Sequence, residues 1–115
     1  AVPDFIAEAT AKVEAMIPGC RPVPFGHLGD GNIHYNVSQP VGADRAAFLK
    51  RWDEINDAVF GVVAKHAGSI SAEHGIGVMK RALLPSVKDP VAYDLMCSLK
   101  RMLDPQGILN PGKVL

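Results

Sequence analysis

The chain has 115 residues, 48% of them hydrophobic, and twelve basic residues balance twelve acidic ones. That is enough for one domain with a modest core, and too little for two. The balanced charge and the lack of a basic-aromatic stripe exclude a nucleic-acid footprint, and the apolar runs are too short for a membrane span. Cys20 and Cys97 stand alone with no CxxC spacing, so they read as free thiols of a reducing compartment. A soluble, cytoplasmic domain is expected.

In chain order, Asp4 reads as an N-cap, and Ile6, Ala9, Val13 and Met16 repeat at helical spacing up to Pro18-Gly19. Val23 to His27 and Ile33 to Val37 read as two strands joined by Gly29-Asp30-Gly31-Asn32, a strong hairpin signal. With those four residues as the loop, Leu28 faces Ile33 and His27 sits directly opposite His34. Strand alternation adds Asn36 to the same face, so two imidazoles and an amide converge. Asp44 caps a long second helix whose stripe runs through Phe48, Trp52, Ile55, Val59 and Val62, with Trp52 expected in the core. His66 near its end reads as structural, and Gly68 as its stop.

Ser69 to Ala72 is a third strand candidate leading into Glu73-His74-Gly75-Ile76-Gly77. Leu83-Leu84-Pro85 is a break, and Asp89-Pro90 opens a last helix with Val91, Leu95, Leu99 and Met102/Leu103 on one face. Turns follow at Asp104 to Gly107 and Asn110 to Lys113. The order of elements predicts a two-layer α+β domain over residues 1–115, a small antiparallel sheet with helices on one face. The open edges of so small a sheet imply further strands or a homodimer.

Two histidines and a carboxylate, His27, His34 and Glu73, form a donor set suited to an open transition-metal site, with His74 available as a general base. The bland alternative pairs Glu73 with Lys80 or Arg81 and leaves His74 a solvated loop residue. On residue types alone both stand.

Three blocks then share a resemblance: Gly26 to His34, Glu73 to Gly77, and Leu103-Asp104-Pro105 with Asn110-Pro111-Gly112-Lys113. Together they resemble the C-terminal domain of FAD-linked oxidases, in the branch of D-lactate dehydrogenase, the glycolate oxidase D subunit and D-2-hydroxyglutarate dehydrogenase. The resemblance implies part of a ferredoxin-like cap domain. It implies His27, His34 and Glu73 as ligands of zinc or manganese, His74 as the base taking the substrate hydroxyl proton, and Asn36 as a substrate contact. It also places Asn110 and Lys113 near the flavin. The implied activity is flavin-dependent oxidation of a D-2-hydroxy acid to a 2-oxo acid, with hydride passing to FAD.

No stretch resembles a flavin-binding fold, so the chain is expected to be a piece of a larger flavoprotein, inactive alone. The full enzyme is expected to be cytoplasmic or peripheral to a membrane. Two rival readings are a freestanding small-molecule-binding or regulatory α+β module without redox chemistry, and a metal hydrolase built on the same ligands.

Overall fold

The computed structural model describes residues 1–115, which divide into two units, residues 1–72 and 73–115. The first unit holds α1 (Val2–Met16), β1 (Arg21–His27), β2 (Asn32–Ser38), α2 (Arg45–Leu49) and α3 (Trp52–Lys65). The second holds α4 (Leu84–Val87) and α5 (Pro90–Leu103). Five helices and one antiparallel pair of strands make this a small α+β protein, as the pattern of elements predicts.

The core of the first unit forms where the apolar faces of α1 and α3 meet the hairpin. Val13, Ile17, Cys20 and Ile55 are buried together, with Met16, Tyr35, Val37, Phe48 and Val59 packed against them. Burial pushes the Cys20 thiol pKa up. Tyr35 reaches the core with its ring and keeps its hydroxyl 2.9 Å from Thr10 Oγ1 on α1. The expected structural role of His66 holds. Its Nε2 lies 3.1 Å from Glu8 Oε2, and its ring meets Phe5 edge-on at 6.2 Å.

Several local expectations change. Helix α1 starts at Val2 with Pro3 in its first turn, so Asp4 lies inside the helix, where its charge suits the positive end of the dipole. Asp44 does cap a helix, accepting from the Ala47 amide at 2.6 Å. That helix ends at Leu49, however, and α3 starts afresh at Trp52. Between them Arg51 turns aside to donate to Met16 O at the end of α1 and to clasp Glu54. The break takes Trp52 out of the stripe, and it is exposed.

The third strand does not form, and the sheet has two strands. The side chain of Ser69 accepts from the Ser71 amide and donates to the Ser71 carbonyl, occupying the groups a ladder would use. The outer edge of β1 is blunted instead. Pro22 and Pro24 continue the ladder, so they take the positions whose amide would face away from β2, and they have none to offer.

In the second unit Asp89 caps α5, accepting from the Ala92 amide at 2.9 Å. The stripe Val91, Leu95, Leu99, Met102 and Leu103 reads as a buried face, yet it stays exposed and α5 buries no residue. The buried groups of this unit are Leu84 and Asp104.

Candidate functional site

The hairpin is built around two glycines. At Gly26, with φ of 148°, an added Cβ would fall 2.2 Å from the Asn32 carbonyl oxygen, so only glycine lets the strands close there. Gly31 takes φ of 73° in the loop, and Asp30 accepts from the Asn32 amide at 3.2 Å in an Asx turn.

The loop is Leu28 to Gly31, one residue earlier than its glycines suggest, because Asn32 joins β2. Pairing therefore shifts by two residues. His27 stands opposite Asn32 and Phe25 opposite His34, so the expected His27–His34 pair is corrected to a diagonal one. A two-residue shift keeps pleat parity, which leaves His27, His34 and Asn36 on one face, with diagonal neighbours about 7–8 Å apart. The opposite face carries Tyr35 and Val37 into the core, so the histidine face is the outer one.

On that face the Phe25 ring stacks on His34 with centroids 5.0 Å apart and planes 9° apart, which fixes the imidazole plane. His27 Nδ1 lies 4.0 Å from Asp30 Oδ2 and the ring is exposed. Asn32 is a turn residue by sequence, yet its Oδ1 is buried with no hydrogen-bond partner. An unpaired buried acceptor beside His27 calls for a donor or a cation, since leaving it unmet costs about 1–3 kcal/mol. Only the pairing register exposes that role.

The second group of candidates lies on the Glu73–Gly77 loop. Gly75 and Gly77 take left-handed φ of 74° and 58°, which turn the chain sharply after His74. The His74 imidazole is exposed, and its Nε2 lies 4.0 Å from Glu73 Oε1. The tail meets this loop: the Val114 amide donates to Gly77 O at 2.9 Å. In the preceding turn the Lys113 amide donates to Asn110 O at 3.2 Å, and Lys113 Nζ to Pro111 O at 3.3 Å.

The structure thus brings His27, His34 and Asn36 to one face of the hairpin, and Glu73 and His74 to one loop that the Asn110–Lys113 tail adjoins. No three His, Cys, Asp or Glu side chains are grouped as a metal site. The chemistry of the donors nonetheless fits one, since imidazoles and a carboxylate are the ligands zinc and manganese take in open sites.

Residues 1–114 match the family model for FAD linked oxidases, C-terminal domain. The chain belongs to that family. It is 42% identical over 113 residues to the D-2-hydroxyglutarate dehydrogenase of Stutzerimonas stutzeri, covering 98% of this chain and 24% of that protein. The mitochondrial D-2-hydroxyglutarate dehydrogenase of Arabidopsis thaliana is 50% identical over 91 residues, 79% of this chain and 15% of its own length. That of Rattus norvegicus is 45% identical over 93 residues, 81% of this chain and 16% of its own. The chain therefore spans a quarter or less of the relatives it matches, and all three motif blocks fall inside the family match. No helix in this FAD-linked oxidase domain is long and apolar enough to cross a membrane.

Proposed function

We propose that this chain is the metal-bearing, substrate-binding part of a flavin-dependent D-2-hydroxy acid dehydrogenase, and that its substrate is D-2-hydroxyglutarate. The observation that supports this best is the family match over residues 1–114, with relatives of 42–50% identity that carry that activity in their names. On this reading the FAD-binding domain lies elsewhere in the protein, and residues 1–115 have no dehydrogenase activity by themselves.

His27, His34 and Glu73 would hold a divalent cation, zinc or manganese. Such a cation supplies Lewis-acid stabilisation of the oxygen that becomes an alkoxide, and the flavin supplies the hydride acceptor. The work of the chain itself is binding and proton handling. Asn36 donates its carboxamide N–H to the substrate carboxylate from the outer face of the hairpin. His74, held clear of the loop by the turns at Gly75 and Gly77, takes the hydroxyl proton on an imidazole nitrogen as the Cα–H bond gives up its hydride. The product is the 2-oxo acid, and the proton remains on His74. Asn110 and Lys113 face the cofactor side.

The test is oxidation of D-2-hydroxyglutarate by the holoenzyme, followed with a dye acceptor. Loss of a general base costs about 10²–10⁴ in rate, so His74→Ala is expected to lower kcat by at least about a hundred-fold. A variant within about two-fold of the parent would overturn the role given to His74.

A further inference from the structure

We infer that the Lys100–Asp104 pair positions the loop that carries Glu73 and His74, acting through the C-terminal tail. Asp104 is the one charged side chain in the protein that is buried. Its carboxylate takes the Lys100 ammonium at 2.5 Å, the Ile108 amide at 2.9 Å and the Leu109 amide at 3.0 Å. Lys100 Nζ also donates to Leu109 O, and the Gly107 amide to Asp104 O. A buried carboxylate with three donors fixes the backbone around it, because every bond to it is charge-assisted. The last turn of α5 and residues 107–109 are thereby one rigid corner.

The tail leaves that corner already turned. Asn110 has φ of 46°, and the turn it opens closes at the Lys113 amide. Val114 then takes φ of 65° and donates to Gly77 O. A β-branched residue in that region is strained by about 1–3 kcal/mol and persists only where its surroundings dictate it. The strain falls at the residue that holds Gly77, three positions after His74. The left-handed glycines Gly75 and Gly77 permit the turn, and the tail contact holds the Gly77 carbonyl within it.

The inference rests on the assignment of His74 as the base, and the experiment separates the two. In the holoenzyme, hydrogen exchange of the amides of residues 74–78 is measured beside kcat and KM for Asp104→Asn, Val114→Pro, Val114→Gly and His74→Ala. Val114→Pro removes the donor to Gly77 and moves φ at Val114 to the negative range that proline requires, so it breaks the tail contact while α5 and its corner lie upstream of the change. Asp104→Asn and Val114→Pro are each expected to speed exchange in the loop about ten-fold. They should also lower kcat about ten-fold with KM within about two-fold, as misplacement of a reacting group does. Val114→Gly keeps the donor, relieves the φ and is expected to match the parent in both readouts. Unchanged loop exchange in Asp104→Asn and Val114→Pro would overturn the positioning role, whatever His74→Ala does. Faster exchange with a fully active His74→Ala would support positioning and overturn the base.

Discussion

Replacing Ala67 by glycine is expected to stabilise the protein, although it removes a side chain. Helix α3 ends in a Schellman turn: the Ala67 amide donates to Ala64 O at 3.0 Å and the Gly68 amide to Val63 O at 2.9 Å. The residue that must take the left-handed conformation is Ala67, at φ of 53°, and the glycine comes one position later. Left-handed backbone costs an alanine about 1–2 kcal/mol. Glycine avoids that but loses about 0.4–1 kcal/mol through its greater freedom in the unfolded chain. The Ala67 methyl is exposed, so little packing is lost. A net gain of about 0.5–1 kcal/mol remains, worth about 2–5 °C in Tm for a chain of this size. The companion change Gly68→Ala should move the other way. Its Cβ would lie 3.1 Å from Val63 Cγ1 and 3.3 Å from Val63 O, and a valine on a helix has one preferred rotamer to offer. Thermal unfolding followed by the fluorescence of Trp52, at the start of α3, reads both variants. A lower Tm for Ala67→Gly, or a higher one for Gly68→Ala, would refute the account of this turn.

Val13 is fully buried in the α1–α3 core, so Val13→Ala is expected to cost about 2–3 kcal/mol in chemical denaturation, the lost methyls plus the cavity they leave. Glu8 gives a pH dependence. Its hydrogen bond to Lys65, then that to His66, holds its carboxyl below the ordinary value of 4.5. The folded state therefore binds fewer protons than the unfolded one, so the contribution is complete above that value and lost as pH falls through the folded pKa. Acid titration of stability should show a flatter limb below about pH 4.5 in Glu8→Gln than in the parent.

Much of the fold was legible where the signals are local. Asp44 and Asp89 cap helices with their own side chains, and the Asp-Gly turn chemistry marks the hairpin between the two strands. What failed depended on partners distant in sequence or on competition that a pattern does not weigh. The helix read as continuous through Trp52 is broken where Arg51 satisfies a carbonyl on α1, thirty-five residues away. Ser69 to Ala72 has strand propensity, but the Ser69 hydroxyl serves Ser71 instead. The α5 stripe has helical period and stays exposed, so its pattern identified the helix and not its burial.

The candidate site divides in the same way. Residue types and face were readable, since parity survives a two-residue shift, and His27, His34 and Asn36 remain on the outer face. Register was not, because Asn32 can end a loop or begin a strand, and the Asx bond from Asp30 decides which. Asp104 read as a turn residue because its burial comes from amides and an ammonium around it, which no spacing reveals. The Lys100 bond first, then those of Leu109 and Ile108, hold its carboxyl below the ordinary range.

The central claim is that His27 and His34 bind a cation, and metal content tests it most directly. The purified holoenzyme should carry about one equivalent of zinc or manganese, and the His27→Ala, His34→Ala double variant should lose it. Equal metal in both proteins, or none in either after loading with excess zinc and manganese, would contradict the account and return both histidines to a structural role.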